Sequence, residues 1–348
     1  GAPPMPGMET PAEEVLQMDL TPTQITSFLL GANSRVETLR LQREINTDQQ
    51  EAMTAIIPGV TLAALWRTVG YAEQGVAVDH APAAPAEAAA AARPPAVPAL
   101  DLTDTPFVTL DPPGSTDLDQ ALCLARTDRG YRVRYAIADV AAFVTPGGAV
   151  DRAAMARVTT VYCPDLRAPL HPPVLGEGAA SLLPDGPRPA VVWTIELDED
   201  ADVRSARVER AVVRSRARLD YPTQQARLDA GTADEVIELL AEIGTLRRRQ
   251  EVARGGVSLA RPEQEVVPTA DGWDLVVRAP APIEEHNAQI SLLTGMVAAQ
   301  MMLDARVGVL RTMPTATAAD VDRLRAQALG LGLDWPADRS YAQTLPTF

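Results

Sequence analysis

Between Thr109 and Leu122 the chain reads T-L-D-P-P-G-S-T-D-L-D-Q-A-L, which sets Asp111, Asp117 and Asp119 around a Pro-Gly turn at the end of an apolar run. Hard divalent cations take oxygen ligands, and proteins that work on phosphodiesters commonly hold them with a few carboxylates, leaving the other positions to water and phosphate. The chemistry to expect is metal-dependent phosphoryl transfer. Packed this closely without a cation, three acids would repel one another and raise one another's pKa. On spacing alone a plainer reading stays open. Aspartate favours turns beside Gly and Pro because its side chain caps the local backbone, and a bare D-x-D is weak.

Phe107-Val108-Thr109-Leu110 reads as a short strand that Pro112-Pro113-Gly114-Ser115 cannot continue, so the chain must turn after Asp111. Beyond the turn an extended segment alternates its faces, pointing Asp117 and Asp119 together and Leu118 into the core, so that three acids converge from two strands. Tyr131-Arg-Val-Arg-Tyr-Ala-Ile, after the Thr127-Asp-Arg-Gly130 turn, completes a hairpin with an Asp117–Leu124 strand. Val191–Leu197 and Val203–Val213 read as a second strand pair. Helices are expected at Asp234–Arg254, at Glu285–Val307 with Met296, Met301 and Met302 in the core, and at Thr317–Leu329. A Thr317/Asp320 capping pair opens the last of these and Gly330 lies just past its end. The fold class is α+β, a mixed β-sheet surrounded by helices.

The match extends well past the acids. V-T-L-D-P-P-G-S-T-D-L-D-Q-A-L resembles the signature of the ribonuclease II (RNB) family of exoribonucleases. Tyr135-Ala-Ile-Ala-Asp139-Val is similar to the family's I-A-D-V strand, and Thr159-Thr-Val-Tyr162-Cys-Pro-Asp165 with Pro169 and Pro172 to its S-x-Y-x-P-x-x-x-x-P-x-x-P stretch. Ser181-Leu-Leu-Pro184, Val213-Arg-Ser-Arg-Ala-Arg-Leu219 and Arg248-Arg-Gln-Glu-Val-Ala-Arg-Gly255 follow in the family's order, so the resemblance covers roughly residues 100 to 312. It implies an RNB-like catalytic domain that hydrolyses single-stranded RNA from the 3′ end and releases nucleoside 5′-monophosphates. The implied cofactor is Mg²⁺, with Mn²⁺ as an alternative. Asp111, Asp117 and Asp119 are then metal ligands and catalytic acids, and Tyr162 packs on the 3′-terminal nucleotide.

Several positions depart from the pattern. The family ends its acid cluster in D-x-D-D, whereas the fourth position here is Gln120, which can offer Mg²⁺ a neutral oxygen but removes one charge. A catalytically silent RNA-binding protein is therefore the second reading, and a metal phosphohydrolase of small phosphate esters a third. Glu284 and Glu285 fit the opening of a long family helix, but the Asn expected further along reads Ser291. The motif S-P-I-R-R-[YF] and a C-terminal S1-type barrel are missing, so the catalytic domain, 101–348, is expected to be C-terminally incomplete, and Gly1 in place of an initiator Met points to a trimmed chain.

A net charge of −15 argues against a polyanionic partner, because cation–phosphate contacts carry most nucleic-acid affinity. Distribution matters more. Lysine is absent, all 31 cations are arginines, and Arg204, Arg207, Arg210, Arg214, Arg216 and Arg218 crowd Val203–Leu219 against the single acid Glu209. Arginine forks grip phosphate and stack on bases, which suits single-stranded RNA and nominates Arg214, Arg216 and Arg218 with Tyr162 as RNA-binding residues. A solvated strand edge would look the same.

An Ala/Pro stretch at 80–100 reads as a semi-rigid linker. Ahead of it, helices starting near Thr21, Thr47 and Thr61 suggest a helical, helix-turn-helix-like domain over 1–79 in which acids outnumber arginines, so protein contacts are as reasonable there as RNA contacts. No apolar run is long enough to span a bilayer and no basic segment precedes an apolar stretch, so a membrane is not expected as a partner and a cytoplasmic monomer is. Cys123 and Cys163 are expected as buried free thiols, and His80, His171 and His286 are too scattered for a zinc site or a Ser-His pair.

Overall fold

The computed structural model describes residues 100–162, 167–258, 262–269, 272–310, 312 and 316–345. The expected N-terminal domain, nearly all of the linker, and Cys163 lie outside them. The described residues fall into two compact units, the short segment Arg157–Leu170 and the rest.

In the larger unit, five strands close into a barrel in the order β1, β2, β3, β6, β7. They are β1 (Leu100–Asp111), β2 (Gln120–Thr127), β3 (Gly130–Ala138), β6 (Arg188–Leu197) and β7 (Val203–Asp220). Helix α1 (Ala149–Arg157) follows β3. The smaller unit holds the two-residue strands β4 (Val161–Tyr162) and β5 (Arg167–Ala168), which pair with each other.

The expected β2–β3 hairpin forms, with Thr127 opposite Gly130 across a two-residue turn. Gly130 is required there. Its φ is +129°, and an added Cβ would lie 2.3 Å from the Asp198 carbonyl carbon. β6 and β7 pair antiparallel, as their alternation predicts, but β7 continues to Asp220 because its second half leaves β6 and runs parallel to β1. Ala211 to Val213 contact both neighbours, Leu100–Leu102 on one side and Arg188–Ala190 on the other. This parallel pairing makes the sheet mixed and closes it.

Alternate residues of the strands go to two cores. Leu122, Leu124, Tyr131, Val133, Tyr135, Ile195 and Leu197 pack with Ile237, Leu239, Leu240 and Ile243 of α3 (Glu235–Ala253) and with Ile283, Ile290, Leu293 and Val297 of α4 (Pro282–Ala305). The intervening positions, Ala121, Ala136, Ala190, Val192, Ala211 and Val213, join Phe107, Leu118 and Leu182 in the second core. The period-two pattern thus assigns one strand face to the helices. Of the expected methionine cluster, Met301 packs on that core while Met296 is 38% exposed, so the core role does not hold for Met296: its thioether instead accepts from Arg247 of α3 at 3.6 Å.

Among the elements not legible beforehand are α1, the helix α2 (Tyr221–Asp229), and the hairpin of β8 (Glu263–Thr269) with β9 (Gly272–Arg278). Asp220 caps α2, its side chain accepting from the Thr223 amide at 2.8 Å, and Pro222 sits in the first turn. The chain ends in α5 (Ala318–Gly330), opened by the predicted Thr317/Asp320 capping box, and the short α6 (Tyr341–Thr344). Among the described residues no helix is long and apolar enough to cross a membrane.

Gly130→Ala should cost roughly 2–4 kcal/mol through left-handed strain and overlap with Asp198, read as a lower urea midpoint at unchanged m-value. A midpoint equal to wild type would contradict the packing at this turn.

Candidate active site

Asp111 is the last residue of β1, and the parallel register ends on Asp111 opposite Asp220, which brings the start of α2 beside it. The chain then turns through Pro112–Gly114, with the Ser115 amide donating to the Pro112 carbonyl at 3.2 Å and Gly114 at φ +83°. The segment from Ser115 to Asp119 is not a strand, and β2 begins only at Gln120. Side-chain clamps hold it instead. Ser181 donates its hydroxyl to the Thr116 carbonyl at 2.7 Å and accepts from the Leu118 amide at 3.0 Å. The Leu182 amide donates to the Leu118 carbonyl at 2.8 Å, and the Thr116 hydroxyl to Glu177 at 3.1 Å. Leu118 is fully buried, as expected from its place between two acids. The Asp119 carbonyl accepts from the Ala138 amide at 2.8 Å, extending the hairpin by one residue.

The electrostatics around this loop are unfavourable in the absence of a cation. Burial, then the charges of Asp119 and Asp117, push the Asp111 carboxyl up to about 6. Its Oδ2 is buried and has no hydrogen-bond donor. Asp119, though solvent-accessible, is surrounded by enough protein to be raised by burial, with Asp117 adding to the effect. An orphaned buried carboxylate oxygen beside two more acids is what a hard cation would satisfy, and the donors are all oxygen. Convergence is incomplete, however. Among the described residues no three acid, histidine or cysteine side chains close on one point as a preformed cage would.

Helix α4 faces this loop with Asn287 and Ser291, four apart and so on one side of the helix, while Glu284, one turn earlier, is engaged by Arg278 and the Ala281 amide. Asn287 donates to the Tyr221 hydroxyl at 2.9 Å, and Ser291 Oγ lies 2.7 Å from the Tyr135 hydroxyl. Both phenols are pushed up to about 12, chiefly by burial and further by the charges of Asp111 and Asp119, so they remain neutral hydrogen-bonding groups. Gln120 does not stand open toward the acids: its Oε1 accepts from the Tyr135 hydroxyl, with Ser291 Oγ 3.3 Å away. Sequence reasoning missed Tyr135, Tyr221 and Asn287 as site residues. The signals for α4 at the site were the fit of Glu284 and Glu285 to the opening of a family helix and the misfit at Ser291.

The arginine strip is real but partly spent. Arg210 pairs with the buried Asp139 at 2.6 Å and Arg207 with Glu209 at 2.8 Å. Arg214, Arg216 and Arg218 are all exposed in the second half of β7, where a register irregularity between Ser215 and Ala217 interrupts the alternation of faces. Arg216 donates to the Thr103 carbonyl at 2.6 Å, and Arg218 reaches the Ser115 carbonyl at 3.3 Å, beside the acid loop. Tyr162, 72% exposed and opposite Arg167 on β4–β5, belongs to the smaller unit. Cys123 is a free thiol but only partly buried.

A closed mixed barrel backed by helices, with an oxygen-donor loop at the end of its parallel pair, is the architecture on which the sequence comparisons converge. Residues 99–343 match the RNB domain, and the chain belongs to the RNB family. Exosome complex exonuclease dis3 of Schizosaccharomyces pombe is 28% identical over 258 residues, 70% of this chain and 27% of that protein. Ribonuclease R of Vibrio parahaemolyticus is 37% identical over 131 residues, 37% of this chain and 16% of that protein. The chain thus spans less than a third of the length of these relatives. Among solved structures, Mycoplasma genitalium RNase R in complex with double-stranded RNA superposes with a TM-score of 0.64 at 22% identity, over 71% of this chain and 46% of that one. Yeast Ssd1, described as a pseudonuclease, superposes with a TM-score of 0.56 at 16% identity, over 69% and 30%. These likenesses establish the fold.

A carboxyl raised to about 6 from 3.8 binds its proton more tightly in the folded state, so its contribution to stability is complete below pH 3.8 and lost as pH rises through 6. Metal-free Asp111→Asn should therefore be more stable than wild type at pH 7 by roughly 2 kcal/mol and no more stable at pH 4. Urea denaturation in chelator at the two pH values checks this, and an equal effect at both would remove the electrostatic account.

Proposed function

We propose that this chain carries the catalytic part of a hydrolytic 3′-to-5′ exoribonuclease that uses Mg²⁺, with Mn²⁺ as a substitute, to release nucleoside 5′-monophosphates from single-stranded RNA. The observation that carries this reading is the orphaned Oδ2 of Asp111, held beside Asp117 and Asp119 at the end of a barrel strand. Membership of the RNB family and relatives named as exonucleases and ribonuclease R support it.

Asp111, Asp117 and Asp119 are the residues that would hold the cation. A divalent ion there supplies Lewis acidity and lowers the pKa of water. The chain's own groups do the rest. Near neutral pH the Asp111 carboxyl loses its proton and becomes free to bind a cation. Tyr135 and Tyr221 stay neutral and line the site without competing for it. Arg214, Arg216 and Arg218 offer guanidinium forks to successive phosphates, and exposed Tyr162 offers a ring on which the 3′-terminal nucleotide stacks. Ser181 acts only indirectly, by fixing the loop that carries two of the acids.

A second reading, an RNA-binding protein without turnover, is favoured by Gln120, whose oxygen is already engaged by the Tyr135 hydroxyl, and by the likeness to a pseudonuclease.

The two separate in an assay on uniformly labelled single-stranded RNA with Mg²⁺ or Mn²⁺. The exonuclease should release mononucleotides, and Asp119→Asn should slow release by at least about a hundredfold while RNA affinity changes little. Undiminished release by the variant would sink the mechanism. RNA binding without release by wild type would establish the silent protein instead. Lowering the pH from 7.5 to 5.5 should reduce the rate as Asp111 takes up its proton, an effect that higher Mg²⁺ partly reverses.

A further inference from the structure

Two positions stand apart from the family's pattern, Gln120 and Ser291, 171 residues apart in the chain, and the fold brings them into contact. Gln120 opens β2 and shares its strand face with Leu122 and Leu124, the face turned toward α4. Across the hairpin, Gln120 pairs with Ile137 and Leu122 with Tyr135, so Tyr135 is the diagonal neighbour of Gln120 on that face. The Tyr135 hydroxyl donates to Gln120 Oε1. Ser291, from α4, lies 2.7 Å from that hydroxyl and 3.3 Å from the same oxygen. Each hydroxyl has one proton, so at these distances Tyr135 gives its own to Gln120 Oε1 and Ser291 gives its own to the Tyr135 oxygen, a chain that runs from Ser291 through Tyr135 to Gln120.

We propose that Gln120, Tyr135 and Ser291 form an uncharged latch in which Gln120 is a positioning residue for Asp119 and not a cation ligand. The latch ties the start of β2 to β3 and to α4 at the residue next to Asp119, whose own carbonyl is held by the Ala138 amide. Asp119 is crowded by like charge from Asp117, so something other than attraction must fix its place. Pulling Gln120 away to meet a cation would break the bond that anchors β2 to the Tyr135 hydroxyl, on a residue only 2% exposed, and force that hydroxyl to turn to Ser291 Oγ instead. An aspartate at 120 would fall short of Tyr135 by one carbon–carbon bond, about 1.5 Å, and add a fourth negative charge. This inference rests on the reading of Asp111, Asp117 and Asp119 as a cation site.

The test is Mn²⁺ titration calorimetry on folded wild type, Tyr135→Phe, Ser291→Ala, their double variant and Gln120→Asp, without RNA. Neither Tyr135→Phe nor Ser291→Ala removes a carboxylate, yet each should weaken Mn²⁺ binding by roughly tenfold, and the double variant by no more than the worse single one. Gln120→Asp should bind Mn²⁺ no tighter than wild type, although it adds an acid. Mn²⁺ affinity within about threefold of wild type in Ser291→Ala, the variant least able to disturb folding, overturns the latch. So does a gain of about threefold or more in Gln120→Asp. If wild type binds no Mn²⁺, the cation reading fails, and amide exchange at residues 119–121 decides the latch. Exchange should quicken by at least about threefold in Ser291→Ala, and equal rates overturn it.

Discussion

One buried carboxylate oxygen, Oδ2 of Asp111, has no donor and sits within the field of two further acids. A group in that state raises the free energy of the folded chain, either by staying charged without compensation or by holding a proton it would give up in water. The surrounding structure can be understood as what is needed to keep it there. Like charges do not assemble themselves, so the loop that carries Asp117 is clamped at both sides of Leu118 by Ser181 and Leu182, and Leu118 is driven into the core. The neighbouring phenols, Tyr135 and Tyr221, are ones that burial keeps protonated, so they add hydrogen-bonding capacity and no charge. Stability is given up locally at a place where a cation would restore it, a pattern common to functional sites.

The parallel pairing of β1 with β7 is what places the site. It carries Asp111 to the level of Asp220, where the strand gives way to a capped helix, and so sets Tyr221 among the acids. The same pairing runs the arginines of β7 past the acid loop, with Arg218 bonded to the Ser115 carbonyl. A chain with a net charge of −15 thereby keeps arginines next to the loop that holds Asp111, Asp117 and Asp119. Not every arginine contributes there. Arg210 neutralises buried Asp139, the acid of the family-like Ile-Ala-Asp-Val strand, and is a structural ion pair.

The two departures from the RNB pattern acquire a common meaning once folded. Taken singly, Gln120 looks like a lost ligand and Ser291 like a lost amide. In contact they look like a coupled exchange in which the longer side chain on β2 meets the shorter one on α4 through the Tyr135 hydroxyl. An uncharged cluster of this kind stiffens a site without adding to its repulsion, because hydrogen bonds among neutral groups survive partial exposure better than isolated ion pairs do.

Local chemistry was readable from the chain alone, because its causes lie within a few residues. The turn after Asp111 follows from Pro-Pro-Gly, the burial of Leu118 from alternation, the hairpin register from the turn ending at Gly130, and the Thr317/Asp320 cap from spacing. The motif series placed the family for the same reason, as did the expectation of a mixed sheet among helices. Contacts far apart in sequence were not readable. Periodicity tells which face of a strand is buried but not which strand lies beside it, so the closure of β1 on β7 and the length of β7 came only with the fold. Nor does a helix pattern say what its polar side meets. That Asn287 and Ser291 reach two tyrosines beside the acids, and that the oxygen of Gln120 is turned to Tyr135, was decided by tertiary packing, which alone sets the distances on which hydrogen bonds depend.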